Sequence, residues 1–189
     1  MEDSVSIVLA TYNEATNLET LIPRLAGIVP EAYIVVVDDS SPDGTPDLLR
    51  GLCEKHPRLI PVIRSGKLGY GTAVLAGFRR ALELGAQRIV TMDADFSHDP
   101  DDVPRLLQGL EDADVAIGSR YYQGVRVLNW KVSRLLLSLF ANRYVNTILG
   151  FKVADATSGF RAYRRAAAQM VCNSKISSHG YSFLVDIRY

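Results

Sequence analysis

The sequence of 189 residues predicts an α/β protein with a mostly parallel sheet and helices on both faces. Short apolar runs alternate with helical patterns along the chain, and repeated β-α-β units of this kind give parallel sheets. The run Tyr33-Ile34-Val35-Val36-Val37 is continuously apolar, as expected for a strand buried on both faces. Polar residues directly follow several of the apolar runs, which is where open α/β sheets bind their ligands.

The individual elements follow from spacing and from proline and glycine positions. Strands are predicted at 5–10, 33–37, 59–63, 88–92 and 115–118, with Pro61 making the third an edge strand. Pro23 predicts that the first helix begins near Thr20, which would place the proline in its first turn. Thr45 is predicted as the N-cap of the second helix, and Gly85 as the end of the third, which starts at Thr72. Val103, Leu106, Leu107 and Leu110 mark a fourth helix.

The composition is that of an ordinary globular domain. Hydrophobic residues make up 48% and charged residues 22%, which excludes a disordered or low-complexity chain. Two cysteines, Cys53 and Cys172, are too few for a disulfide framework. The chain opens on an acidic segment where a basic leader would stand, and it has no run of about 18 apolar residues. A single domain in a reducing compartment is expected.

The charges are unevenly distributed. Residues 1–119 contain 10 basic and 19 acidic residues, whereas residues 120–189 contain 11 basic and 2 acidic ones. The acidic part is suited to holding a cation, and the basic part to meeting an anionic partner or an anionic membrane surface. Alternatively, the two parts neutralise each other across one interface. No nucleic-acid partner is expected.

Two carboxylates, Asp93 and Asp95, follow the strand predicted at 88–92. Nearby carboxylates repel each other unless a cation or a proton lies between them, and hard divalent ions such as Mg²⁺ prefer oxygen ligands. The spacing therefore predicts a metal–diphosphate site; capping of the next helix is the alternative, although Asp99 and Asp101 serve that cap better. His98 lies close to this loop in the sequence, but the histidines have no metal-ligand spacing.

Asp39 and Lys67 are two further candidates for ligand binding. Asp39 follows the most hydrophobic strand, where an acidic side chain is well placed to bond ribose hydroxyls or a base edge. Lys67 lies in the glycine-rich segment Gly66–Thr72, which fits neither the Walker A pattern nor the dinucleotide fingerprint. It is expected either to face a phosphate or to be a solvated loop lysine.

The basic part contains a second candidate for phosphate binding. Arg134 and Ser138 are four residues apart, so they share one face if the segment is helical. A guanidinium and a hydroxyl on one face can hold a phosphate, and the leucines beside them suit a headgroup attached to a lipid. A buried helix with snorkelling ends is the alternative.

Six segments of the chain together resemble the family 2 glycosyltransferases of GT-A fold. They are Thr11-Tyr12-Asn13-Glu14, Val37-Asp38-Asp39 with Ser41-Pro42-Asp43-Gly44-Thr45, Gly69-Tyr70-Gly71-Thr72-Ala73, Asp93-Ala94-Asp95-Phe96-Ser97-His98, Gly118-Ser119-Arg120-Tyr121 and Thr157-Ser158-Gly159-Phe160-Arg161-Ala162-Tyr163. Within this family the chain resembles the dolichol-phosphate (polyprenol-phosphate) mannosyltransferases, from about Ser4 to its end. The resemblance implies a GT-A, Rossmann-like sheet and metal-dependent, inverting transfer of mannose from GDP-mannose to a polyprenyl or dolichyl monophosphate.

The resemblance also implies roles for individual residues. The guanine nucleoside is expected at Ala10, Tyr12, Glu14, Val37 and Asp39, and the diphosphate at Asp93, Ala94 and Asp95. Asp95 is implied as a direct ligand of Mg²⁺ or Mn²⁺, with Asp93 beside it and with Ser97 or a water completing the shell. Arg120 is expected at the sugar-phosphate and acceptor region, and Arg134 with Ser138 at the lipid phosphate. Asp95, Arg120 and Arg134 are the expected catalytic residues.

The organisation and location of the protein are expected from the same resemblance. Residues 1–119 are predicted to form the nucleotide-sugar-binding part of one catalytic domain, and residues 120–189 the acceptor-binding part. The resembled enzymes continue with a segment carrying Arg and Lys that closes over the diphosphate, so this C-terminal segment is expected to be missing. A peripheral location on the cytoplasmic face of a membrane is expected. The alternatives are another donor, such as UDP-glucose, and a non-catalytic nucleotide-sugar binding module.

Overall fold

A six-stranded sheet forms the centre of the protein in a computed structural model, which describes residues 4–119, Asp155 and residues 158–174. The strands are β1 (Val5–Thr11), β2 (Tyr33–Asp38), β3 (Leu59–Ile63), β4 (Arg88–Asp93), β5 (Val115–Ile117) and β6 (Arg161–Arg164). Their order across the sheet is β3-β2-β1-β4-β6-β5. The first four strands are parallel, and β6 runs antiparallel to both β4 and β5. The predicted mostly parallel sheet is confirmed, with β3 at its edge, as Pro61 indicated.

Helices cover both faces of this sheet. They are α1 (Ala15–Ile28), α2 (Thr45–Lys55), α3 (Tyr70–Glu83), α4 (Val103–Gln108), which follows a 3₁₀ turn at Pro100–Asp102, and α5 (Arg165–Asn173). The apolar residues of α1, α2 and α4 pack on one face, and those of α3 and α5 on the other. β2 contributes alternate residues to the two cores, Val36 to the first and Val37 to the second.

The predicted start of α1 near Thr20 is wrong, because the helix begins at Ala15 and contains Pro23 in its interior. Proline lacks the amide proton that would bond to the carbonyl four residues earlier, which costs stability inside a helix. The apolar face of α1 compensates for this cost, since Leu18, Leu21, Ile22 and Leu25 are fully buried. Burying one such side chain contributes about 1.5–3 kcal/mol.

The prediction of Thr45 as the N-cap of α2 is also wrong, by one position. Gly44 occupies the N-cap position with a φ of 89°, in the left-handed region that favours glycine. Thr45 is the first residue of the helix, and its amide and hydroxyl donate to Asp43 Oδ1 at 3.1 and 2.7 Å. Asp43 thus provides the side chain that caps this helix. α3 likewise begins earlier than predicted, at Tyr70.

The described residues contain no helix with both the length and the apolar composition needed to cross a membrane.

Candidate active site

Three predicted site residues lie side by side where the central parallel strands end. Ala10 on β1 is the register partner of Val37 on β2 and also of Asp93 on β4. The loops that follow these strands carry Tyr12, Asp39 and Asp95. The fold therefore brings the predicted nucleoside residues and the predicted diphosphate residues to one edge of the sheet, as expected for a parallel α/β sheet.

The same three loops each contain a non-glycine residue with a positive φ. These residues are Asn13 at 62°, Ser40 at 53° and Phe96 at 56°, following β1, β2 and β4 respectively. This conformation is unfavourable for residues with a β-carbon, and such residues cluster at functional sites.

Hydrogen bonds brace the loops after β1 and β2 against each other. The carboxylate of Asp38 accepts from the amide and hydroxyl of Ser41 at 2.9 and 2.5 Å, and the Ser41 hydroxyl accepts from the amide of Asn13 at 2.8 Å. Asp43 adds a second link, because its Oδ2 accepts from the amide of Ala15 at 3.0 Å. Desolvation raises the pKa of Asp43, but the bonds from Thr45 and Ala15 outweigh it and lower the pKa overall.

Asp39, the predicted ribose ligand, forms a buried ion pair with Arg64. Arg64 Nε and Nη2 both lie 2.5 Å from Asp39 Oδ1, and the amide of Leu68 donates to Oδ2 at 3.0 Å. The side chains of Asp39 and Arg64 are only 6% and 11% exposed. Each carboxylate oxygen has two lone pairs, so Asp39 retains acceptor capacity beyond these bonds.

Tyr12 and Lys67, predicted separately as substrate-binding residues, are in contact. Lys67 Nζ lies 4.1 Å from the centre of the Tyr12 ring, which is a cation–π geometry. Tyr12 is 36% exposed, and Lys67 is exposed as well. The lysine is thus held over an aromatic face at the edge of the site.

Asp93 is enclosed by residues from three other parts of the fold. The Tyr70 hydroxyl donates to Asp93 Oδ1 at 3.1 Å, and His98 Nδ1 lies 3.9 Å from Oδ2. Gly159 packs so closely that a β-carbon there would lie 3.1 Å from both carboxylate oxygens. The His98 ring stacks on Phe160. Desolvation and the neighbouring Asp93 raise the pKa of Tyr70 well above its ordinary value, so its hydroxyl remains a donor at neutral pH.

Asp95 and Ser97 lie in the loop beyond Asp93. Asp95 is exposed, and its Oδ1 accepts from the amide of Ser97 at 3.0 Å. Ala94 between the two aspartates is buried against the first core. Within residues 4–119, 155 and 158–174, no group of three or more His, Cys, Asp or Glu side chains is positioned to hold a metal.

The donor atoms of this loop nevertheless fit a divalent ion. Asp93 and Asp95 offer carboxylate oxygens and Ser97 a hydroxyl, which are the ligand types that Mg²⁺ and Mn²⁺ prefer. Such ions commonly take one or two carboxylates and complete their shell with substrate phosphates and water. Two protein carboxylates are therefore consistent with a metal that arrives with a diphosphate.

The remaining predicted residues fall into two groups. Glu14 is half-buried and accepts from the Asn17 side chain at 2.6 Å. The side chain of Val37 is buried in the second core, so any contact of Val37 with a nucleoside is restricted to its main chain. Arg120, Arg134 and Ser138 lie outside the described residues.

Sequence reasoning missed two residues of this site, Arg64 and Tyr70. Arg64 follows β3 directly, so the rule that identified Asp39 and Asp93 also applies to it. It was missed because the strand predicted at 59–63 contains a proline, which indicated a strand at the edge of the sheet. Tyr70 lies between two glycines of a segment interpreted as a backbone loop, and only the fold reveals that its hydroxyl reaches Asp93.

Comparison with known proteins identifies the family. Residues 6–171 match the profile of Glycosyl transferase family 2. The undecaprenyl-phosphate mannosyltransferase of Micrococcus luteus is 40% identical, over 98% of this chain and 76% of the relative. The polyprenol monophosphomannose synthase of Mycolicibacterium smegmatis is 43% identical, over 97% of this chain and 70% of the relative.

Solved structures agree on the fold. A mannosyltransferase from Pyrobaculum calidifontis, solved with GDP-Man and Mn²⁺, matches with a TM-score of 0.62 and 21% identity, over 97% of this chain and 51% of that one. The structural comparison confirms the predicted GT-A fold. The relatives that are 40% and 43% identical confirm the predicted class of enzyme, a mannosyltransferase. The chain belongs to glycosyl transferase family 2, in the group of the polyprenyl-phosphate mannosyltransferases.

Proposed function

We propose that this chain binds GDP-mannose at the edge where β1, β2 and β4 end, and transfers its mannose to a polyprenyl monophosphate with inversion at the sugar C1. The observation that carries the proposal is the row formed by Val37, Ala10 and Asp93 across three strands. This row brings a carboxylate suited to a nucleoside, Asp39, and a carboxylate pair suited to a metal-bound diphosphate to the same edge.

The donor half of the site is assigned from its chemistry. Asp39 has acceptor capacity for ribose hydroxyls or a base edge, and Tyr12 offers an exposed aromatic face beside it. Lys67 lies over the Tyr12 ring, where in this proposal it contacts the nucleotide, and its positive charge suits a phosphate. Glu14 and the main chain at Ala10 and Val37 complete the nucleoside side in this proposal.

Asp95 and Asp93 are the residues that would hold Mg²⁺ or Mn²⁺ with the diphosphate, with Ser97 as a third oxygen donor. When bound, a divalent ion supplies positive charge that stabilises the departing GDP. Tyr70 restrains the Asp93 carboxylate by its hydrogen bond, so this oxygen has a fixed position before a ligand arrives. Asp95 is exposed and accessible to an ion that enters with the nucleotide.

The acceptor needs little activation. The second pKa of a phosphate monoester is near 6, so its oxygens are largely deprotonated at neutral pH and no separate base is required. One phosphate oxygen forms a bond to C1 of mannose, and the bond between C1 and the diphosphate oxygen breaks, leaving GDP with the electron pair. In this proposal Arg120, Arg134 and Ser138 orient the acceptor opposite the nucleotide.

The lipid nature of this acceptor implies work at a membrane. Residues 120–189 carry 11 basic and 2 acidic residues; Arg161 among them is buried in the sheet, and the remaining basic excess suits an anionic bilayer surface. We propose peripheral attachment at the cytoplasmic face. Flotation with vesicles containing or lacking anionic lipid tests the attachment itself. Binding that is independent of anionic lipid would contradict it.

Turnover tests the proposed reaction directly. The chain is incubated with radiolabelled GDP-mannose, Mn²⁺ or Mg²⁺ and a polyprenyl monophosphate in detergent, and label in the lipid fraction is counted. UDP-glucose serves as the competing donor, and thermal shifts with GDP and with UDP report binding separately. Lipid-linked mannose is the expected product. Preferential transfer from UDP-glucose would show that GDP-mannose is not the donor. Nucleotide binding without turnover would indicate a non-catalytic nucleotide-sugar binding module.

A further inference from the structure

We propose that Arg64 is a positioning residue of the donor site, which fixes the Asp39 carboxylate and fastens the loop 66–71, including the first two residues of α3, across the ends of three strands. The proposal rests on the proposed function, because it takes Asp39 and Asp93 as donor-binding residues. Arg64 would act through these residues and need not touch the donor itself.

The guanidinium of Arg64 joins three separate parts of the structure. It holds Asp39 Oδ1 through Nε and Nη2, it donates from Nη1 to Thr72 Oγ1 at 2.8 Å, and it donates from Nη2 to the carbonyl of Gly69 at 3.2 Å. Thr72 lies in the first turn of α3, and Gly69 precedes that helix with a φ of 99°. One side chain therefore links the end of β2 to the loop and helix that follow β3.

The loop held by Arg64 contacts each of the predicted donor-binding loops in turn. Lys67 lies over Tyr12 after β1, the amide of Leu68 bonds to Asp39 after β2, and the Tyr70 hydroxyl bonds to Asp93 at the end of β4. These three contacts come from four consecutive residues. A displacement of this loop would thus disturb the nucleoside side and the diphosphate side of the site together.

The planar fork of arginine suits this task better than a single positive charge. A lysine at position 64 would keep the charge opposite Asp39, but its one ammonium group cannot reproduce the fixed fork that reaches Asp39, Thr72 and Gly69 together. With Arg64 in place, Asp39 Oδ1 contacts Nε and Nη2 while Oδ2 accepts from the amide of Leu68, so the remaining lone pairs of the carboxylate point in set directions. A donor hydroxyl then meets an ordered acceptor, which reduces the entropy cost of binding.

Isothermal titration of GDP with Mn²⁺ tests the proposal in the full chain. We expect Arg64→Lys to weaken GDP binding about tenfold, equivalent to about 1.4 kcal/mol. Arg58→Lys is the matched control, because Arg58 precedes β3 and pairs with Glu31 at the other end of the strand. The control should bind GDP like the parent. In turnover, Arg64→Lys should raise the KM for GDP-mannose more than it lowers kcat.

A double-mutant cycle separates positioning from general destabilisation. Because Arg64 acts partly through Asp39, Arg64→Lys should cost clearly less GDP affinity in the Asp39→Asn background than in the parent. Fully additive losses, or parent-like affinity in a folded Arg64→Lys protein, would overturn the proposal. A parent that does not bind GDP would instead overturn the proposed function, and the positioning role with it.

Thr72→Val provides a second variant that leaves the buried ion pair intact. Thr72 is exposed, and valine keeps its shape while removing the hydroxyl that accepts from Arg64. The same hydroxyl also donates to the carbonyls of Leu68 and Gly69 at 3.0 and 2.8 Å, so the substitution releases the loop from Thr72 as well as from Arg64. We expect GDP binding at least about threefold weaker. If Arg64→Lys does not fold, parent-like affinity in Thr72→Val is the result that refutes the proposal.

Discussion

Gly159 faces the carboxylate of Asp93 so closely that no side chain fits between them. A β-carbon at position 159 would lie 2.8 Å from the Tyr70 hydroxyl oxygen and 3.1 Å from each carboxylate oxygen of Asp93. The Gly159 carbonyl also accepts from the Thr91 hydroxyl at 2.7 Å, which holds this backbone against β4. The absence of a side chain at position 159 therefore sets the position of a carboxylate predicted to bind the diphosphate.

Gly159→Ala should consequently disturb both stability and nucleotide binding. The added methyl group must displace Tyr70 or Asp93, and such overpacking costs about 1–3 kcal/mol. We expect a lower free energy of unfolding in urea and weaker binding of GDP with Mn²⁺. Gly51→Ala is the control, because a β-carbon there has no atom within 4 Å and lies within α2. Parent-like behaviour of Gly159→Ala would mean that the backbone yields without cost.

Asp95→Asn should remove metal-dependent nucleotide binding while leaving the fold intact. Asp95 is exposed and asparagine is nearly isosteric, so the free energy of unfolding should change by less than about 0.5 kcal/mol. The amide lacks the charge that attracts a divalent ion. Titration of GDP with and without Mn²⁺ measures the effect. Asp101→Asn, whose carboxylate pairs with Arg24, serves as the control. An Asp95→Asn protein that still binds GDP as tightly as the parent with Mn²⁺ present would exclude the metal role.

Asp39→Ala should weaken GDP binding whether or not a metal is present, since Asp39 is proposed to bind the nucleoside rather than the diphosphate. The structure adds a consequence for stability, because the substitution leaves the buried guanidinium of Arg64 without its carboxylate. Removing one partner of a buried ion pair costs about 3–5 kcal/mol. Chemical denaturation should detect this loss, and titrations must therefore be made where the variant remains folded. A loss of GDP affinity seen only with metal would move Asp39 to the diphosphate side.

Most of the strands and helices in the described residues were predictable because their sequence signals are local. Apolar runs and the positions of Pro61 and Gly85 identify the first four strands and the end of α3 within a few residues. The start of α1 was missed because tertiary burial of Leu18 outweighs the local penalty of Pro23. β6 was missed because its four residues contain two arginines, and its pairing with β4 spans about 70 residues of chain.

The residues of the candidate site likewise divide into those that local sequence signals predict and those that only the fold reveals. Candidate residues at the end of a strand or directly after it, such as Asp93 and Asp39, are indicated by topology alone. Residues that act through distant contacts are not, because nothing local indicates that Tyr70 reaches Asp93 or that Gly159 lies against both. Arg64 is intermediate: its position after β3 was available in the sequence, but its partner was not.

Asp43 should contribute stability that is lost in acid. Its folded pKa is lower than its ordinary value of 3.8, so the contribution is present above that value and disappears as the pH falls through the folded pKa. We expect Asp43→Ala to reduce the free energy of unfolding by up to about 1 kcal/mol at pH 7, a modest value because the group is exposed. The difference from the parent should shrink near pH 2. Asp112→Ala, at an exposed position outside the helices and strands, is the control, and a pH-independent difference for Asp43→Ala would contradict the assignment.

Arg134→Ala should impair use of the acceptor and spare the donor. Arg134 and Ser138 lie outside the described residues; their spacing would place them one turn apart on a helix, in a segment with many cations and few anions. Losing one charge-assisted contact to a phosphate costs about 1.5–3 kcal/mol. We therefore expect a higher KM for polyprenyl phosphate or a lower kcat, with nearly unchanged affinity for GDP. Steady-state kinetics with each substrate varied in turn measures this effect. Equal losses for both substrates would indicate that Arg134 supports the fold. Normal kinetics would instead support the alternative interpretation of this segment as a buried helix.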